Sequence, residues 1–386
     1  MNFTYTSTQE EIQSAVANLC NRFDASYWRN CDRTKKYPVE FVNTVTEAGW
    51  LACLIPETYG GTGLSLLDAC LIIETINKSG ANGAACHAQM YTMGSILKYG
   101  SESQKRALLP KIARGDLRLQ AFGVTEPDAG SNTLQIKTFA QKINGGYIIN
   151  GQKIWTSRFL QSDLYLLIAR TTPIEDVKNK TEGLSLFLVD IAAAGKSLSA
   201  RPIETMFNHH TNEIFIDNLE ITDHCRIGEE GQGFKYLLGS LNAERLLVAS
   251  ECIGDGYWFI EKSRRYASER IVFNKFIGTN QGVAFPIAKA YMSIKAAELM
   301  RNQAASLFDT GAPCGTESNM AKYLGSEASW EAAEAAMSTF GGYGFAVEYD
   351  IERKWKETRV FRTAPISNNL VQAYIAQNVL GMPRSY

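Results

Sequence analysis

An α+β fold in three successive blocks, helical, then β, then helical, is what this chain predicts. Three observations carry it. Apolar residues recur at helical spacing from Glu10 to about Arg118; the pattern then shortens to strand-like runs as far as Ile227; and long Ala- and Leu-rich helical patterns return beyond Gly231-Gln232-Gly233. With 386 residues, of which 45% are hydrophobic and 20% charged, the chain is long enough for two or three domains with sizeable cores. The expected boundaries are 1–118 for an N-terminal helical domain, 119–228 for a middle β-domain and 229–386 for a C-terminal helical bundle.

In the first block Leu66, Leu67, Cys70, Ile73 and Ile76 mark one helix, and Tyr59-Gly60-Gly61-Thr62-Gly63 is a turn signal before it. The middle block has β-type runs at Leu164 to Ala169, Leu184 to Val189 and Glu213 to Ile221, with Asn144-Gly145-Gly146 turning between two strands of a mostly antiparallel region. In the last block helices are expected over Phe234 to Arg265, Phe285 to Phe308, Ser318 to Phe340 and Val371 to Leu380. Segregated helices and strands argue against a doubly wound nucleotide fold. The glycines at Gly60-Gly61 and Gly341-Gly342-Tyr343-Gly344 lack the GxGxxG spacing after a strand, and read as turns.

Composition excludes several functions. The net charge is -1, from 39 basic and 40 acidic side chains, and no dense Lys/Arg block offers a polyanion a driving force, so nucleic acid is not expected. No apolar run approaches the ~18 residues of a membrane span. The start carries Glu10 and Glu11 and lacks the charged and apolar regions of a leader, so a cytoplasmic protein is expected. Eight scattered cysteines, Cys20, Cys31, Cys53, Cys70, Cys86, Cys225, Cys252 and Cys314, read as buried free thiols in a reducing compartment. Of four histidines only His209 and His210 are close, and on a strand they would face opposite sides, so no metal is expected.

Two stretches carry the chemistry. Gly123-Val124-Thr125-Glu126-Pro127-Asp128-Ala129-Gly130-Ser131-Asn132 and Ile149-Asn150-Gly151-Gln152-Lys153-Ile154-Trp155-Thr156-Ser157 together resemble the paired signature of the acyl-CoA dehydrogenase family. The resemblance continues through Gly228-Glu229-Glu230-Gly231-Gln232-Gly233-Phe234, the Arg270 to Gln281 segment and Phe340-Gly341-Gly342-Tyr343-Gly344-Phe345, and so covers nearly the whole chain. It implies the α-β-α fold of that family, with a β-barrel-like middle domain and a C-terminal four-helix bundle, and FAD as cofactor. An isoalloxazine ring needs an apolar or aromatic wall and polar groups at its edge. By resemblance Phe122, Val124, Thr125, Trp155 and Ser157 line the ring, and Ser131 lies near the pyrophosphate or the thioester arm of the substrate. Gly341, Gly342 and Ser367 are likewise assigned to the cofactor, and Arg245 to the substrate. Arg270, Phe273 and Gln281 keep the spacing with which family members hold the ADP part of a neighbouring subunit's FAD, a task that suits the planar fork of Arg. The resemblance therefore implies a homodimer or homotetramer. Asn274 stands where the family has Gly, and Ser338 where Gln is usual.

Desaturation of an acyl thioester needs a base for the α-proton. Many family members carry a Glu in a C-terminal Tyr-Glu-Gly-Thr stretch; here the ungapped count from Gly341-Gly342 reaches Ala364-Pro365-Ile366-Ser367, without an acid. The isovaleryl- and long-chain-type members place the Glu before an Arg on a central helix, and here that motif reads Leu241-Asn242-Ala243-Glu244-Arg245-Leu246-Leu247-Val248. Glu244 shares a helix stripe with Leu237, Leu241 and Val248, which would desolvate it and raise its pKa. Glu251, one heptad on, shares the face, and resemblance alone selects Glu244. Pro365 lacks the backbone N–H that helps polarise the substrate carbonyl in the family, and nearby Arg362 is a candidate contact for an anionic substrate group.

The implied activity is α,β-desaturation of an acyl-CoA, with electrons passed to an electron-transferring flavoprotein. Rivals on the same fold are oxidases, reductases and flavin monooxygenases, or a degenerate relative that binds FAD or CoA as a scaffold or carrier-protein partner; Pro365 keeps the last alive. Met90, Tyr91 and Met93 suggest a short or branched acyl chain.

Overall fold

The computed structural model describes residues 4–384. Helices α1 (Ser7–Cys20), α2 (Ala25–Thr34), α3 (Val39–Glu47), α4 (Leu66–Lys78), α5 (Ala84–Thr92), α6 (Gly94–Tyr99) and α7 (Glu102–Arg114) come first. Capping boxes start three of them: Thr6 with Gln9, Ser65 with Asp68 and Ser101 with Gln104 each exchange side-chain and backbone bonds, satisfying first-turn N–H groups that have no partner within the helix.

The middle of the chain holds strands β1 (Ala121–Gly123), β2 (Phe139–Ile143), β3 (Gly146–Ser157), β4 (Leu164–Arg170) and β5 (Leu184–Asp190), the short helix α8 (Ile191–Ala194), and β6 (Leu198–Pro202), β7 (Thr211–Thr222) and β8 (Arg226–Ile227). They form one sheet in the order β6-β7-β3-β2-β4-β5-β8, with β1 beside β4. β1 and β2 pair parallel to β4 and the other pairs are antiparallel. The expected turn is there: Gly145, at φ +78°, links β2 to β3. β4 is buried on both faces, which explains its unbroken apolar run.

Then come α9 (Gly233–Glu269), the hairpin β9 (Ile271–Val272) and β10 (Lys275–Phe276), α10 (Gln281–Asp309), α11 (Gly315–Phe340), α12 (Ile351–Arg359) and α13 (Asn368–Tyr374), which runs into a π-turn over Ile375–Val379. The long helices pack through small residues: Ala290, Ala332, Ala333 and Ala336 meet Trp258, Phe259 and Phe340 in one core, and Ile253, Ile294, Ala297 and Ala328 form another. Gly256 is needed here, because a Cβ on it would lie 2.1 Å from Ile294 Cδ1.

Contacts divide the chain into two compact units that do not follow the linear blocks. A helical unit comprises residues 1–38, 65–84 and 242–386, and a sheet unit comprises 39–64 and 85–241. The sheet unit has two cores. One joins Ile55, Ile96, Leu109 and Ile112 to Leu166, Ile168, Leu186 and Leu188; the other, on the remaining sheet face, centres on Tyr147, Tyr165, Leu167 and Phe187. The alternation along β4, even positions to one core and odd to the other, follows from the two-residue period of a strand.

Seven of the eight cysteines are buried, while Cys225, expected to be buried, is partly exposed. His209 and His210 lie in the segment before β7 and not on a strand, and His210 takes φ +53°. Strand alternation therefore does not apply to them.

Candidate active site

In the sheet unit the two signature stretches converge on one corner. β1 pairs with β4 through Ala121–Tyr165, Phe122–Leu166 and Gly123–Leu167. The chain then leaves β4 for β3, and Ile154 N donates to Thr125 O at 2.9 Å. Gly123 permits this crossing, since a Cβ there would lie 1.8 Å from Tyr165 Oη. Glu126 and Ala129 close a tight turn by exchanging both backbone bonds, at 3.2 and 3.1 Å.

A buried ion pair fixes the corner. Lys153 Nζ lies 2.8 Å from Glu126 Oε1 and 3.1 Å from Val124 O, and Glu126 also accepts from Lys137 N at 2.6 Å and Thr138 N at 2.9 Å. Burial pushes the Lys153 ammonium down to about 8. Glu126 keeps its carboxyl below the usual range: burial works against this, but the charge of Lys153 and the two N–H donors outweigh it.

On the far side of Lys153, β3 departs from regular geometry. Its register against β7 shifts between Lys153 and Thr156, and Trp155 has φ +60°, Arg158 φ +57° and, opposite them, His210 φ +53°. Left-handed conformations are strained for side chains of this size and gather at functional sites. The result is an indole that is 56% exposed, with Phe122, Val124, Thr125 and Ser157 half-buried. Ser157 Oγ lies 3.0 Å from His209 Nε2. Ser131 is exposed on the turn that follows Glu126. An aromatic plane, an apolar wall and hydroxyls within one corner are the donor set a flavin ring requires.

In the helical unit Glu244 and Arg245 lie on α9, 7% and 8% exposed. Arg245 Nη1 donates to Asn242 Oδ1 at 2.9 Å, and burial lowers the Arg245 guanidinium below its ordinary range despite the charge of Glu244. Glu251 is fully buried as well, so burial does not separate it from Glu244. Ala364–Pro365 is a cis peptide, and the loop around it is held by Lys322, whose Nζ donates to Ile366 O at 2.6 Å and Asn368 Oδ1 at 2.7 Å. Burial pushes Lys322 down to about 8. Ser367 caps α13 by accepting from Leu370 N. Arg362, a candidate for an anionic substrate group, is engaged instead: its Nε donates to Glu327 Oε1 at 2.9 Å, and its guanidinium lies over Trp330.

Phe273 and Asn274, at φ +50° and +61°, are the two central residues of the β9–β10 turn, in the geometry that favours Asn, so Asn274 does the work of the expected Gly. The turn leaves Phe273 94% exposed, and Arg270 and Gln281 are also exposed. The Arg270 guanidinium lies 5.9 Å from the Tyr343 ring centroid, beside the turn of Gly341 and Gly342. Met90, Tyr91 and Met93 are buried in the sheet unit. The sequence reading did not select Glu126, Lys153 or His209 for the site. The first two sit inside the signature stretches, where charged residues among apolar ones were the available signal.

Comparison with known proteins identifies the family. Residues 6–116, 121–219 and 231–380 match the models of the acyl-CoA dehydrogenase N-terminal, middle and C-terminal domains. The acyl-CoA dehydrogenase fadE12 of Mycobacterium bovis is 31% identical over 388 residues, covering 100% of this chain and 99% of that one. The glutaryl-CoA dehydrogenase of Desulfococcus multivorans is 30% identical with 100% of each chain covered. Among solved structures, the glutaryl-coenzyme A dehydrogenase complex with glutaryl-CoA superposes with a TM-score of 0.93 at 28% identity, covering 100% of this chain and 98% of the other. The chain belongs to the acyl-CoA dehydrogenase family, flavoprotein oxidoreductases that use FAD and act on the CH–CH group.

Proposed function

We propose that this enzyme desaturates an acyl-CoA thioester between its α- and β-carbons, with Glu244 as the base that takes the α-proton. The carrying observation is the burial of Glu244 on α9 while Pro365 stands where many relatives have their glutamate. Burial strips water from the carboxylate, so that it meets the substrate rather than solvent. Bound FAD supplies the acceptor for the β-hydrogen, taken as hydride at N5. Phe122, Val124, Thr125, Trp155 and Ser157 hold the ring, with Gly341, Gly342 and Ser367 contributing to the cofactor site. Ser131 and Arg245 orient the thioester.

Arg270, Phe273 and Gln281 reach the ADP part of a second subunit's FAD, which makes a dimer or tetramer the working unit; the exposure of all three supports this reading. Electrons leave to an electron-transferring flavoprotein, and the site takes a short or branched acyl chain, in a cytoplasmic setting.

The test is Glu244→Gln. FAD should stay bound while anaerobic bleaching by a panel of acyl-CoAs slows at least a hundredfold. Full bleaching in that variant rejects Glu244. A wild-type protein that is yellow and bleached by no thioester supports the degenerate reading, which Pro365 favours because proline offers no N–H to the substrate carbonyl.

A further inference from the structure

His209 lies outside the signature stretches, yet it makes the hydrogen bond to Ser157 described above. The register of β3 and β7 brings this about. Ser157 is the Cα partner of Thr211, and Arg158 N donates to His210 O at 2.7 Å, so the turn before β7 folds back over the end of β3. Asn212 Nδ2 holds that turn through Thr156 O at 3.1 Å and His210 O at 3.2 Å. The His209 ring leans on Phe207, with centroids 5.0 Å apart.

The other ring nitrogen decides the direction of the bond. Nδ1 is closed off from solvent and has no hydrogen-bond partner among the described residues. Burial, with the charge of Arg158 next in weight, holds the imidazole well below its ordinary pKa, so it is neutral and carries one N–H. If Nδ1 held that hydrogen, a buried donor would point at nothing, which native structures avoid more strictly than a spare lone pair. Nε2 therefore holds it and donates to Ser157 Oγ. The serine hydrogen is then left for another acceptor, and no other hydrogen bond of this side chain is found among the described residues.

We propose that His209 is a positioning residue: it fills the acceptor side of the Ser157 hydroxyl and turns its hydrogen toward the bound flavin, as a donor to an acceptor atom at the ring's polar edge. This rests on the reading of Ser157 as a flavin contact. Reduction adds charge to the carbonyl oxygens at the ring edge and turns N5 from an acceptor into an N–H, so an oriented donor there binds the two redox states unequally and shifts the midpoint potential.

The measurement is the midpoint potential of bound FAD, by dye equilibration on the purified holoenzyme, in a double-mutant cycle. His209→Leu should change the ratio of oxidised to reduced FAD affinity about tenfold, a shift of about 30 mV for a two-electron couple. In the Ser157→Ala background the same change should have no effect. His209→Gln, whose amide nitrogen reaches the place of Nε2, should restore the potential, and His209→Asn, which is too short, should not; this pair also serves if the leucine variant fails to fold. A potential unchanged in His209→Leu or His209→Asn, or an equal shift with and without Ser157, overturns the proposal. If Ser157→Ala alone changes neither FAD affinity nor potential, the fault lies in the flavin-contact reading, and the proposal falls with it.

Discussion

The sheet unit and the helical unit each bury a lysine against a carboxylate, Lys153 with Glu126 at 2.8 Å and Lys354 with Asp255 at 2.5 Å, yet the two pairs differ in which partner is reluctant to ionise. Glu126 collects two backbone N–H donors besides its lysine, while among the described residues Lys153 has one carbonyl, Val124 O, in addition. The carboxylate is thereby held charged, and burial falls on the lysine, pushed down to about 8. In the helical unit Lys354 has Ala81 O at 3.0 Å and Glu357 Oε2 at 3.1 Å as well as Asp255, and stays above its ordinary range. Asp255 is pushed up to about 6 by burial, which the charge of Lys354 only partly offsets and to which the charge of Glu357 adds a smaller push. The surroundings, rather than the pairing, decide which partner is more easily neutralised.

The comparison can be broken most forcefully at Lys153. Lys153→Met leaves Glu126 in the interior without its counter-charge, while the Lys137 and Thr138 N–H groups still favour the carboxylate, so neither the charged nor the neutral carboxyl is well accommodated at neutral pH. We expect a loss of about 3–5 kcal/mol in denaturant unfolding, the typical cost of removing one partner of a buried pair. Reduced FAD content should accompany it, because the Val124 carbonyl loses its anchor. Glu126→Gln should cost less, about 1–3 kcal/mol, since the stranded Lys153 can shed its proton. Its deficit should shrink as the pH is raised from 7 to 9, whereas that of Lys153→Met should not. Equal costs at pH 7 would show that the asymmetry between the partners is absent.

How far these features could be read in the sequence follows the range of the interactions that make them. Local periodicity placed α9 over Phe234 to Arg265 and β4 over Leu164 to Ala169, close to the observed Gly233–Glu269 and Leu164–Arg170. It passed over β1 and β8, because strands of three and two residues are too short to show a period. The recruitment of residues 39–64 to the sheet unit and 65–84 to the helical unit rests on contacts distant in sequence, which no local pattern records. The same holds within the site. Trp155 and Ser157 were recognisable from their motif, but the contact of Ser157 with His209, 52 positions on, exists only through the β3–β7 register. Asn274 looked like a departure from the family turn, and became intelligible once its φ of +61° was known.

The smallest effect is expected at Asp255, and its sign is the sharper check. The carboxyl has a folded pKa of about 6 against 3.8 for the free side chain, so between those values the folded protein holds a proton that the unfolded chain has released. A raised pKa contributes stability that is fully present below pH 3.8 and is lost as the pH rises through about 6. Asp255→Asn mimics the protonated form and keeps an oxygen for Asn77 Nδ2 and Lys354 Nζ, which both meet Oδ1 in the wild type. Near pH 4 the variant should therefore lie within about 1 kcal/mol of the wild type. Between pH 4 and pH 7 the difference should move in favour of the variant, by at most about 3 kcal/mol, since each tenfold change in proton affinity is worth about 1.4 kcal/mol. Urea unfolding of both proteins at pH 4, 5, 6 and 7 measures it. A variant that instead loses ground as the pH rises would mean that Asp255 is charged comfortably in the folded protein, and that the two lysine pairs are alike after all.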